Sequence, residues 1–197
     1  MFNKASIIEN VKTLFYALII AIIIRSLIIQ PFYIPSSSME PTLEINDRVL
    51  VLKDALTPIN IESGDIVIFY NPEIPYSEDF LEEYYQALQV WNLNTSDSIL
   101  NTAIIKRVVG VGGDVVNIEK DGKVFVNGKQ FIVLNIEESS YFQNQTYTVP
   151  ENEFFVLGDN RINSQDSRYI GTVPTRNIIG KASYVIFPFD NYKKLND

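Results

Sequence analysis

The sequence predicts a mostly β protein of antiparallel sheets behind one N-terminal hydrophobic helix. Short β-branched and aromatic runs, bounded by Gly, Asn or Pro, recur between residues 48 and 187. Asp121-Gly122 and Asn127-Gly128 mark tight turns in mid-chain. A single apolar stretch of membrane length lies ahead of all of them.

That stretch, Val11–Ile29, is interrupted by Lys12, Thr13, Arg25 and Ser26. Three readings are open for it. A single spanning helix fits best, with Lys12 and Arg25 near the ends where long side chains snorkel to the interface. A cleaved secretory leader with Leu14–Ile24 as its core would need Ser36-x-Ser38 as the cleavage site, and Arg25 and the long gap fit that poorly. A buried soluble helix is the third. If the segment spans, Lys4 and Lys12 favour a cytoplasmic N-terminus and place the body outside.

Strands are expected at Arg48–Leu52, Asp65–Tyr70 and Ala103–Val109. Val115–Glu119 and Val124–Val126 flank the Asp121-Gly122 turn, and Gln130–Ile136 follows the second turn. Phe154–Leu157 and Ala182–Phe187 complete the set. One segment departs from this pattern. Ser77 caps a predicted amphipathic helix over 78–92, with Phe80, Tyr84, Leu88 and Trp91 on one face. It packs on a sheet edge or lies on a membrane surface; its acidic polar face (Asp79, Glu82, Glu83) favours the first.

Composition excludes several chemistries. The 197 residues contain no histidine and no cysteine. Neither a Ser-His-Asp triad nor a Cys-His pair can be built, so a nucleophilic serine would need lysine, a carboxylate or an amine as its base. Zinc and copper sites are disfavoured, only oxygen-ligand metals fit, and no metal site or cofactor is assigned. With 12 Phe and 11 Tyr among the 46% apolar residues, a sizeable core is available. Residues 1–29 carry +2 (Lys4, Lys12 and Arg25 against Glu9), which leaves −10 of the total −8 on residues 30–197. So acidic a body would repel phosphates, and no nucleic acid partner is expected.

Three segments carry chemical possibilities. Pro35-Ser36-Ser37-Ser38-Met39-Glu40-Pro41-Thr42 reads simply as a polar link after the helix, although the two prolines stiffen it. In Ala103–Gly110, Lys106 shares a strand face with Ile104 and Val108, and Arg107 shares one with Ile105 and Val109. Each apolar face thus carries a cation. The plain reading is an edge strand with both cations reaching water. The other is a buried lysine made neutral by desolvation, which arginine would resist. Lowering a lysine from about 10.4 to about 8 requires roughly 3.3 kcal/mol of disfavoured charge. Gly158–Arg168 is small and polar, either a surface loop of Asx turns or a loop whose carboxylates and guanidiniums pair internally and brace a lysine.

Together these segments resemble the type I signal peptidases. Pro35–Leu43 matches the serine box, Gly64–Phe69 the next, Ile105–Gly110 with Gly113-Asp114 the lysine box, and Gly158–Arg168 with Gly171 the last. They stand in the family's order over about residues 12–187. The resemblance implies a membrane-anchored serine endopeptidase that removes signal peptides from secretory preproteins, with no cofactor. Ser38 would be the nucleophile and Lys106 the general base. Ser36 and the backbone N–H of Ser38 would form the oxyanion hole. Ser164 would orient Lys106 by a hydrogen bond, braced by Asp159, Asp166 and Arg168. Phe32, Ile34, Leu43 and Ile105 would line pockets for small substrate side chains at −1 and −3.

The implied organisation is a cytoplasmic tail (1–12), a transmembrane anchor (13–29), a catalytic β domain (30–110 plus 154–190) and a smaller inserted β domain (111–153). The implied location is the plasma (inner) membrane, crossed once, with the catalytic domain on the extracytoplasmic face. Ser38 follows Ile29 by nine residues, at most about 30 Å at about 3.3 Å each, so it would stay near the bilayer. Two departures from the family pattern are Ile162, where many members carry a polar residue, and the long link 71–102. The alternatives are a serine–lysine autoprotease, disfavoured by the anchor, and an anchored binding module without activity.

Overall fold

The computed structural model describes residues 4–53, 60–72, 103–133, 136 and 143–195. Helix α1 runs Lys4–Leu27. It begins earlier than the expected 13–29 anchor and ends sooner, because Ile29 already pairs with Leu52 in a strand. Among the described residues no helix is long and apolar enough to cross a membrane. The predicted helix at 78–92 lies outside the described residues.

Among the described residues twelve strands follow: β1 Ile29–Tyr33, β2 Arg48–Lys53, β3 Ile66–Tyr70, β4 Ala103–Val111, β5 Val115–Ile118, β6 Val124–Val126, β7 Lys129–Phe131, β8 Gln145–Thr148, β9 Glu153–Leu157, β10 Val173–Pro174, β11 Ile178–Phe187 and β12 Lys193–Lys194. A one-turn helix, α2 Ser167–Ile170, stands between β9 and β10. The mostly β, antiparallel class expected of the sequence is what the structure has. One sheet has the order β1-β2-β11-β3-β4-β9-β10, with β12 on β11; a second has the order β7-β6-β5-β8.

Expectation and structure differ where local chemistry is ambiguous. β1 carries Gln30 and Pro31, which hide a strand in the sequence. Proline is tolerated there because β1 is the sheet edge, where Pro31 sits opposite Leu50. β8 is polar, but its Thr and Tyr side chains suit the pleat. β7 is shorter than the predicted 130–136.

Three apolar clusters hold the sheets together. The first contains Ile34, Met39, Leu43, Val49, Val51, Ile66, Ile68 and Ile105. The second joins Val116, Ile118 and Val124 of the small sheet to Val109, Phe155 and Leu157 of the large one. The third lies around Val67, Phe69, Val108 and Val156. Gly110 permits the second: a Cβ there would stand 2.7 Å from Val116 Cγ2.

Candidate active site

The serine-bearing turn is held down by its neighbours. Met39 and Leu43 are fully buried in the first cluster, and Leu43 N–H donates to the Met39 carbonyl at 2.8 Å. Burying two such side chains stabilises the turn by about 3–6 kcal/mol. Ser38, between a tethered Met39 and a half-buried Ser37, is itself only 8% exposed.

Lys106 comes from β4, which lies between β3 and β9 and is therefore interior to the sheet. The plain reading of Ala103–Val109 as an edge strand with both cations in water does not hold. Lys106 is 4% exposed and Arg107 8%. Lys106 Nζ lies 2.8 Å from Ser38 Oγ and donates to the Ile105 carbonyl at 2.8 Å. Burial pushes the Lys106 amine down from 10.5 to about 8; Asp166 and Asp159 oppose that shift, and Arg168 adds to it. A neutral amine has one lone pair and two N–H bonds. With one N–H engaged by Ile105, the lone pair is free to face the serine hydroxyl.

Arg107 performs a different task. Its Nε and Nη2 donate to the two oxygens of Asp159 at 2.9 and 2.7 Å, its Nη1 to the Gly64 carbonyl at 2.7 Å, and Nη2 also to Thr42 Oγ1 at 3.3 Å. One guanidinium thereby ties β4 to the serine segment, the turn before β3 and the loop after β9. The expectation that the carboxylates of Gly158–Arg168 pair within their own loop holds for only one of them. Arg168 grips Asp166 through Nε and Nη2, both at 2.7 Å, and Asp166 also accepts from Gly158 N–H and caps α2. Asp159 instead pairs with Arg107. Arg161 donates to the Gly158 carbonyl at 3.1 Å.

The remaining expected site residues are distributed as follows. Ser36 Oγ lies 3.4 Å from Ser38 Oγ. Ser164 Oγ is buried and has no hydrogen-bond partner among the described residues. The bond from Ser164 to Lys106 that the resemblance implies is therefore not made; the amine uses the Ile105 carbonyl instead. Ile34 (1%) and Leu43 (0%) are core residues, whereas Phe32 is partly buried against the same cluster and Ile105 keeps a small exposed area. Only Phe32 and Ile105 present surface that a side chain could touch without movement of the turn. Ile162 is 79% exposed. Among the described residues no group of three or more carboxylates is arranged to hold a metal ion.

Sequence reasoning missed Arg107, Thr42 and Gly158. A Cβ on Gly158 would stand 2.7 Å from the Ser38 carbonyl oxygen and collide with Ser164. Its signal was faint: a glycine directly after a strand, opening a polar loop. For Arg107 the signal was the second cation on an apolar face, with no way to read its partner 52 residues on.

The family model of signal peptidase, peptidase S26, matches residues 7–187. The chain belongs to the signal peptidase family. It is 37% identical to a probable signal peptidase I-2 of Synechocystis sp., over 96% of this chain and 78% of that one. To signal peptidase I of Leptolyngbya laminosa it is 35% identical, over 96% and 84%. To signal peptidase I S of Bacillus subtilis it is 29% identical, over 98% and 96%. A crystal structure of a signal peptidase I from Enterococcus faecalis V583 aligns with a TM-score of 0.43 at 25% identity, over 62% of this chain and 97% of that one, too low a score to compare folds. As a signal peptidase the chain is a serine peptidase, which agrees with a composition that excludes histidine- and cysteine-based nucleophilic sites.

Proposed function

We propose that this chain is a membrane-anchored endopeptidase that removes N-terminal signal peptides from secretory preproteins, with Ser38 as nucleophile and Lys106 as general base. The observation that carries this reading is the 2.8 Å contact between Lys106 Nζ and Ser38 Oγ, with both groups buried and the amine lowered to about 8. A base must lie within hydrogen-bond reach of the proton it takes and titrate near working pH, and Lys106 meets both conditions.

Neutral Lys106 takes the hydroxyl proton as Ser38 Oγ attacks the scissile carbonyl carbon. The tetrahedral oxyanion is held by the Ser38 N–H and the Ser36 hydroxyl. Lysinium then returns the proton to the leaving amine, the C–N bond breaks, and an ester on Ser38 remains. Neutral Lys106 next deprotonates a water that attacks the ester; collapse releases the signal-peptide carboxylate and restores the serine proton. Asp159, Asp166 and Arg168 keep the charge balance around the amine. Phe32 and Ile105, backed by Ile34 and Leu43, favour small side chains at −1 and −3.

The catalytic unit is 30–110 plus 154–190, with 111–153 as the smaller inserted unit. α1 is its single-pass anchor, with the N-terminus cytoplasmic and the sheets outside, at the plasma (inner) membrane. This is supported by Val11, Leu14, Phe15, Leu18 and Ile20, each more than half exposed. Incubation of the detergent-solubilised chain with a preprotein, followed by sequencing of the new N-terminus, tests the reading. Ser38→Ala should abolish cleavage without unfolding the chain; cleavage that survives in it overturns the assignment.

A further inference from the structure

We propose that Asn163 is a positioning residue that aims the oxyanion donor through Ser37. The inference rests on the reading of Ser38 as nucleophile and of its backbone N–H as an oxyanion donor. Asn163 Nδ2 donates to Ser37 Oγ at 2.8 Å, across 126 positions of sequence. Asn163 is itself fixed: its N–H donates to both the carbonyl and the side-chain oxygen of Asn160, at 3.1 and 3.2 Å. Asn160 in turn gives its N–H to the Ser38 carbonyl at 3.0 Å. The 160–163 turn therefore holds the serine segment at two points, one on each side of the Ser37–Ser38 peptide.

That peptide carries the Ser38 N–H. Its plane can swivel only about Ser37 ψ and Ser38 φ. Ser37 is pinned through its hydroxyl by Asn163 and through its carbonyl by the Glu40 N–H at 3.1 Å. Ser38 is pinned through its carbonyl by Asn160. With both flanks held, the N–H keeps one direction. Direction matters because hydrogen bonds weaken steeply away from linearity and because oxyanion stabilisation depends on donors already aimed where the charge develops. A glycine at 37 would supply neither the hydroxyl nor the restriction of backbone freedom. Asn163 is exposed, and an exposed bond does little for global stability, so its effect should appear in turnover rather than in folding.

The test measures kcat and KM of the detergent-solubilised full chain on a quenched fluorescent peptide with Ala at −1 and −3. Asn163→Ala and Ser37→Ala should each lower kcat about tenfold, equivalent to about 1.4 kcal/mol, with KM and the unfolding midpoint unchanged. The double variant should be no worse than either single one, because both remove the same bond. Ser37→Thr, which keeps a hydroxyl, should recover most of the rate. The pH limb of kcat/KM should keep its wild-type midpoint, since Lys106 is untouched. A double variant about a hundredfold down, a loss carried by KM, or a shifted pH limb overturns the inference. Wild-type kcat in Asn163→Ala, with Ser38→Ala inactive, overturns this inference alone; cleavage by Ser38→Ala overturns the reading beneath it.

Discussion

Replacing Lys106 with methionine should make the protein more stable at neutral pH, by an amount that vanishes at high pH. Methionine keeps the length and apolar stem of the side chain and removes the charge. In the folded chain the amine titrates at about 8 instead of 10.5. Below pH 8 both folded and unfolded chains hold the proton, and the folded one carries a buried charge. Between about 8 and 10.5 the unfolded chain binds more protons than the folded one, so wild-type stability rises with pH across that window. At about 1.36 kcal/mol per pH unit, the rise amounts to about 3 kcal/mol. The methionine variant lacks this rise, so its advantage at pH 7 should shrink by about 3 kcal/mol toward pH 10.5. Urea unfolding of both proteins in the same detergent at several pH values reads the difference, and titrations common to both cancel. With Lys106 as the proposed general base, kcat/KM of the wild type should climb through the same region, since only a neutral amine can accept a proton. A stability difference that stays flat with pH refutes the reasoning: the amine would then carry no penalty for its charge, and a base poised near neutrality would be lost with it.

Ser36→Ala should lower kcat by roughly 10²–10³ with little change in KM, as expected of a lost side-chain oxyanion donor; steady-state kinetics decides. Arg107→Met leaves Asp159 as an unpaired buried charge and should cost about 3–5 kcal/mol in an unfolding titration. Arg107→Lys should cost less but still measurably, because a lysine cannot reproduce the paired contacts to Asp159 together with those to Gly64 and Thr42. Gly158→Ala should lower both activity and unfolding midpoint, by about 1–3 kcal/mol for the latter, because the new methyl presses on the Ser38 carbonyl.

The fold class and eight of the strands were legible because they rest on local signals: β-branched runs, alternation and Asx-Gly turns. The serine–lysine pairing was legible through ordered motifs rather than through periodicity. What escaped shares a cause. The partner of Arg107 is 52 residues away, and nothing local distinguishes Asp159 from Asp166 as its acceptor. β1 was hidden because Pro31 is an edge-strand residue, and edges are defined only once the sheet exists. Ile34 and Leu43 were expected to line pockets; both are buried in a core cluster with Val49, Val51 and Ile66, which the sequence cannot bring together. The Ser164 bond was inferred from likeness, and in this structure the backbone carbonyl of Ile105 occupies the amine in its place.

The position of β11 has a consequence for how the enzyme comes into being. β1 and β2 carry the serine segment; β3 and β4 carry the lysine; within the large sheet the two pairs are joined through β11, which lies between β2 and β3. Yet β11 is the last long strand to be synthesised. A growing chain that already contains Ser38 and Lys106 therefore holds them on two hairpin-like halves with no common ladder. Residues 178–187 complete the ladder that joins the strands flanking Ser38 to the strand that carries Lys106. Removing residues 178–197 should therefore silence the protein as thoroughly as removing the serine.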